Sequence, residues 1–167
     1  YGDYWWPNPD TADGIPYIRK DGCSNPKNFD EHRVILRKLR TYVVTLTFAY
    51  VLTGQEKYAE RAILLLKEFF LDEDTKMNPH LLYAQAIPGI CSGRGIGIID
   101  TLHLIDMPIA IENLISSRYM TEELLSGFRG WFSSYLEWLT THEYGIDEMN
   151  TKNNHSTCWH LQVAVFA

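Results

Sequence analysis

The sequence predicts an all-α chain of helix hairpins, and three observations carry that prediction. Apolar residues recur at steps of three and four through most of the 167 residues, the period of a helix with a buried face. No segment alternates apolar and polar residues at the strand period. Glycine and proline, which punctuate turns, fall largely in two stretches between the periodic segments.

The first stretch, residues 1–28, holds four Pro and three Gly among many Asp and Asn, and reads as a long irregular segment carrying Tyr4, Trp5, Trp6 and Tyr17. A loop of that length usually has a functional reason. From about Asp30 to Leu52, the residues Ile35, Leu39, Tyr42, Leu46 and Tyr50 mark a long helix. Thr53 and Glu56 then stand at capping-box spacing ahead of Tyr58, Ala62, Leu65, Leu66 and Phe69. A second helix therefore follows almost at once, and the two form an antiparallel hairpin.

Residues 72–97 return to punctuation, with Pro79, Pro88 and four Gly, including Ser92-Gly93-Arg94-Gly95; this is a second site loop. Helical spacing resumes over Ile98–Ser117, with Pro108 in a first turn or at a kink. Thr121 suits the N-cap of the next helix. There, one stripe runs through Leu124, Phe128, Trp131, Tyr135 and Trp138 and another through Leu125, Phe132, Leu136 and Leu139, so this helix is buried on two sides. After the polar stretch Gly145–Asn154, a last helix runs from His155 and ends, still apolar, in Val163-Ala164-Val165-Phe166-Ala167. Such an end would be exposed without a continuation. The expectation is one domain over residues 1–167, truncated at its C-terminal end, and hairpins with loops at their ends fit an incomplete α/α toroid of inner and outer helix layers.

Composition narrows the function classes. A net charge of -6 and a pI near 5.5 argue against a general nucleic-acid surface, so a polyanion would have to meet a local basic patch. No apolar run approaches the roughly 18–20 residues of a membrane span, and no signal segment opens the chain. Cys23, Cys91 and Cys158 are widely spaced and odd in number, which reads as free buried thiols. With no HExxH or comparable cluster, no P-loop and no dinucleotide fingerprint, neither a metal nor an organic cofactor is expected.

Three stretches carry a resemblance. They are Tyr4-Trp5-Trp6-Pro7-Asn8-Pro9 with Pro16-Tyr17-Ile18-Arg19-Lys20-Asp21-Gly22, then Gln85-Ala86-Ile87-Pro88-Gly89 with Ser92-Gly93-Arg94-Gly95, then Asn153-Asn154-His155-Ser156. Together, in this order, they resemble the alginate lyase superfamily over nearly the whole chain. The resemblance implies an incomplete α/α toroid, a periplasmic or secreted location, and an enzyme that cleaves a uronic-acid polysaccharide by β-elimination. It assigns Asn154 to neutralising the substrate carboxylate and His155 to the C5 proton or to support of its removal. It also implies a Tyr acid and an Arg further along the chain than Ala167.

The chemistry suits these residue types. The C5 proton of a uronic acid is acidic only when charge on the adjacent carboxylate is neutralised, and the developing enolate needs preorganised hydrogen bonds. A base near a helix N-terminus is kept from its imidazolium form by the dipole. Arg94 suits bidentate carboxylate binding; Tyr17, Arg19 and Lys20 suit a basic aromatic lip; Trp5 and Trp6 suit stacking on sugar rings; Trp159, one turn beyond His155, suits the lining of the same cleft; and Asn153 joins the substrate-binding set. Each has a structural alternative. Asn153 or Asn154 caps the helix, Arg94 fixes its loop through backbone carbonyls, Arg19 and Lys20 are solvated charges, and one or both of Trp5 and Trp6 pin the N-terminal segment onto the helices. His103, His142 and His160 read as structural or surface residues. Two other functions stay open: an α/α-toroid glycoside hydrolase using carboxylates among Asp100, Asp106 and Glu112, and a non-catalytic protein that binds an acidic polysaccharide. The particular polymer, endo or exo action and the oligomeric state are not encoded in these motifs.

Overall fold

Glycine and capping residues decide where the helices begin and end. The computed structural model describes residues 1–167. Helix α1 (Glu31–Thr53) closes on Gly54, whose φ of 65° is left-handed and open to glycine at no steric cost. Helix α2 (Glu56–Phe70) starts after two residues and folds back along α1 as the expected hairpin. The capping box does not form. Thr53 still belongs to the last turn of α1, where its hydroxyl donates to the Ala49 carbonyl at 2.7 Å, and the Glu56 carboxylate accepts from Ser117 Oγ at 2.7 Å.

The core face of α1 is Leu36, Leu39, Val43 and Thr47, whereas Ile35 and Tyr42 are about half exposed. Apolar residues lie all round this helix, so its period admits two faces, and packing against α2 selects the one next to that expected. On α2 the buried set is Ala59, Ala62, Ile63, Leu66 and Phe70, a similar rotation.

The helix expected over Ile98–Ser117 is two elements: a 3-10 segment, Gly95–Ile105, and then α3 (Asp106–Leu114), with Pro108 in the first turn where its missing N–H costs nothing. Helix α4 (Glu122–Thr141) has the predicted cap, with Thr121 Oγ1 accepting from Leu124 N at 3.2 Å. It is buried on both stripes through Leu125, Phe128, Trp131, Phe132, Tyr135 and Leu139. Within the stretch read as polar loop lies a short helix, α5 (Glu143–Met149), before α6 (Asn154–Phe166). Two two-residue strands, β1 (Trp5–Trp6) and β2 (Ile18–Arg19), pair antiparallel, and with an isolated antiparallel bridge between Ile87 and Cys91 they are the departures from helix and loop.

Phe70 anchors the core, with Trp131 and Phe132 at ring-centroid distances of 4.6 and 5.3 Å. A buried polar chain runs through it. Tyr135 Oη lies 2.7 Å from Thr101 Oγ1, Thr101 lies 2.9 Å from Gln162 Oε1, and Gln162 Nε2 donates to the Ile98 carbonyl at 3.1 Å. With the Tyr135 hydroxyl donating to Thr101 and Thr101 to Gln162, each acceptor is served and α4, α6 and the 3-10 segment are tied together. The apolar end of α6 is not left bare, because Phe166 packs on Phe132 and Tyr135 at 5.2 and 5.8 Å. The larger exposed apolar surface is instead on α1, where Phe48, Val51 and Leu52 are 55–67% exposed. All three cysteines are free but none is buried: Cys23 is exposed and Cys91 and Cys158 are partly exposed. No helix is long and apolar enough to cross a membrane.

Candidate active site

The Asn-Asn-His motif sits where a helix starts. Asn153 is the N-cap of α6, its Oδ1 accepting from His155 N at 2.9 Å, so its side chain makes the cap that the structural alternative supposed. Asn154, the first residue of the helix, is exposed. His155 is turned inward, its side chain 17% exposed, with Nδ1 2.5 Å from Glu148 Oε1. Ser156 Oγ donates to the Met149 carbonyl at 2.8 Å and pins the joint between α5 and α6. Trp159 is a core residue whose Nε1 donates to the Leu139 carbonyl at 3.1 Å; it supports the helix and offers almost no surface to a ligand.

Glu148 has no counterpart in the sequence reading. Its side chain is 5% exposed, and burial holds its carboxyl above the ordinary 4.5, with the hydrogen bond from His155 pulling the other way. The only signal was an acid seven residues before the histidine, in a stretch without helical period.

The second motif is held against the same short helix. The Tyr144 hydroxyl donates to the Gly93 carbonyl at 3.1 Å, and His142, stacked on Trp138 at 5.0 Å, caps α5 by accepting from Tyr144 N. The two glycines flanking Arg94 answer to the backbone around them rather than to a ligand. A Cβ on Gly93 would lie 1.9 Å from the Leu82 carbonyl oxygen, and one on Gly95 would lie 2.7 Å from that of Tyr144. Arg94 itself reaches Gln85, donating from Nε to the backbone carbonyl and from Nη2 to Oε1, each at 3.0 Å. Gln85 has φ of 50°, a left-handed conformation rare outside glycine, and these two bonds hold it there. Its amide continues to Asp100 Oδ2 at 2.9 Å. Burial keeps the Arg94 guanidinium below its ordinary value, and the charge of Arg19 acts the same way.

The N-terminal segment lies over this loop. Gly2 N donates to the Ala86 carbonyl and Tyr17 N to that of Pro88, at 3.1 and 3.0 Å. Trp5 and Trp6 are half-buried in β1; Trp6 Nε1 donates to the Cys23 carbonyl at 2.8 Å, and Lys20 sits 5.0 Å from its ring. Arg19 is exposed and paired with Asp21 at 2.8 Å.

A cavity of about 660 Å³ opens beside Gln85, lined also by Arg33, Lys76, His80, Asp100 and Thr101. None of the predicted site residues lines it. The fold thus gathers the Arg94 loop and His155 on α5, one helical turn apart at Tyr144 and Glu148, while the Arg94 side chain runs to Gln85 and not to His155. Of the three acids considered for a hydrolase, Asp106 is ion-paired with Arg40, Glu112 faces Arg129 at 3.7 Å, and Asp100 accepts from Gln85.

Comparison with known proteins bears on this arrangement. A family model described as alginate lyase matches residues 1–167. The chain is similar to an alginate lyase from Bacteroides ovatus whose crystal structure is known, with 41% identity and a TM-score of 0.92 over 99% of this chain. It spans 44% of that protein's chain. A search among curated proteins returned no match.

Proposed function

Because the chain belongs to the alginate lyase family, we propose that the full-length protein is a polysaccharide lyase that cleaves alginate or a related polyuronate by β-elimination. The observation that carries this reading is the start of α6, where an exposed Asn154 adjoins an inward-turned His155. In the proposed step, Asn154 donates its amide hydrogens to the uronate carboxylate and spreads the charge that the enolate acquires. His155 takes the C5 proton. The C5–H electron pair forms the C4–C5 double bond, the C4–O4 bond breaks, and the leaving oxygen receives a proton from an acid. The resemblance assigns that acid to a Tyr further along the full-length chain.

The other predicted residues have more modest support. Arg94 and Arg19 lie close enough to repel, which favours an anion nearby, although each already has a partner. Trp5, Trp6 and Tyr17 fit the wall of a sugar channel over the Gln85–Arg94 loop. The exposed apolar face of α1 supports an α/α toroid in which further helices of the full-length protein cover this domain, and the family resemblance supports a periplasmic or secreted location.

The test is incubation of the full-length protein with a panel of polyuronates while ultraviolet absorbance is followed. A lyase releases an unsaturated, absorbing uronate. New reducing ends without absorbance would indicate hydrolysis, and tight binding with neither would indicate a non-catalytic protein; both outcomes refute the reading.

A further inference from the structure

Glu148 is the buried ionisable group that the fold leaves unexplained. Its side chain is 5% exposed and its carboxylate meets no Lys or Arg; its side-chain partner is His155, with Oε1 2.5 Å from Nδ1. A buried carboxylate without a cationic partner is costly unless a hydrogen bond compensates. Nothing in the packing of α5 requires an acid there, since the helix is already fixed by the His142 cap, the Tyr144 bond to Gly93 and the Ser156 bond to Met149.

An ionised carboxylate only accepts hydrogen bonds, so its ring partner must carry the proton on Nδ1. A neutral imidazole has one N–H, which leaves the Nε2 lone pair as the free base. We propose that Glu148 is a positioning residue for the elimination: it fixes His155 in the tautomer and orientation whose Nε2 receives the C5 proton, and it stabilises the imidazolium that results. Glu148 stays ionised throughout, so the proton rests on the ring. The carboxylate also opposes the helix N-terminus, whose dipole disfavours a charged ring; neighbouring Asp147 is the other charge felt at Glu148. This inference rests on the lyase reading for its substrate, whereas the Glu148–His155 contact stands on geometry alone, and the tautomer follows from it with Glu148 ionised.

The experiment uses the full-length protein with Glu148→Gln, His155→Ala and the double variant. An amide offers either an acceptor or a donor to Nδ1 and no longer dictates the tautomer; in a protease triad the equivalent exchange costs about 10,000-fold. Expected here is a kcat lower by about 100-fold or more with KM nearly unchanged, and a double variant no slower than His155→Ala alone. Ring nitrogen NMR should show Nδ1 protonated in the wild type and the other tautomer gaining in Glu148→Gln. A Glu148→Gln variant with nearly full kcat, a double variant slower than His155→Ala by the full Glu148→Gln factor, or an Nε2-protonated wild-type ring would each overturn the positioning role. A wild type that forms no unsaturated product sinks the lyase reading and the proposal with it, whereas an active wild type with an active Glu148→Gln sinks the positioning role alone.

Discussion

Glu148 sits in a mostly buried pair with His155, and that arrangement carries a thermodynamic signature. Its carboxyl lies above the ordinary 4.5, chiefly through burial, with Asp147 acting in the same sense and His155 opposing. A carboxyl whose folded value exceeds its unfolded value binds more protons in the folded state, so its contribution to stability falls as pH rises from about 4.5 through the folded value. Glu148→Gln cannot ionise and escapes that fall. Thermal melts in buffers from about pH 4 to about pH 8 should therefore show the variant gaining on the wild type as pH rises across that window. Steady loss relative to the wild type would mean that the pairing with His155 outweighs burial. Asn153, Asn154 and His155 were legible as a helix start because an Asn-Asn dipeptide before an apolar run is a capping signal. Glu148 was not, since a lone acid has no periodic neighbours to mark it as buried.

Among the elements, long periodic helices were the most readable and short or tight ones the least. Helix α4, with two full stripes and a Thr cap, lies where its sequence indicates. Helix α5 has seven residues, too few turns for a 3.6-residue period to declare itself, and its cap is an unusual one, His142. The 3-10 segment Gly95–Ile105 reads as α-helix because the apolar spacings of the two helix types overlap over a few turns. Two measurements separate local from packing contributions. Thr121→Ala removes one cap bond from α4 and should cost about 1 kcal/mol, seen as a small drop in urea midpoint without a change in slope. Gly93→Ala should cost more, about 1–3 kcal/mol, because its new methyl would stand 1.9 Å from a rigid backbone carbonyl. A Gly93→Ala variant as stable as the wild type would show that the Arg94 loop is not wedged between residue 82 and α5.

At the scale of the molecule, the core joins what the sequence separates: Thr101, Tyr135 and Gln162 meet in one buried chain, invisible to any local pattern. Gln162→Leu removes the bonds to Thr101 and the Ile98 carbonyl, which keep each other at 2.8 Å, and should cost about 0.5–1.5 kcal/mol, or about 2–4 °C in Tm per kcal/mol for a chain of this size. The exposed Phe48, Val51 and Leu52 lie outside that core. The central claim is that Asn154 and His155 perform chemistry from the start of α6. Its direct test is the initial rate of unsaturated product formation by full-length Asn154→Ala and His155→Ala variants, measured beside their thermal melts. Loss of a base costs about 100-fold to 10,000-fold, and loss of one charge-stabilising donor about 100-fold to 1,000-fold; Asn154→Ala leaves the core untouched, whereas His155→Ala leaves the buried Glu148 carboxyl without its hydrogen-bond partner, a loss of about 1–3 kcal/mol. The account predicts turnover lost by those factors, far more than stability, with melting nearly unchanged in Asn154→Ala and modestly lowered in His155→Ala; near-normal turnover in a folded His155→Ala protein would contradict it.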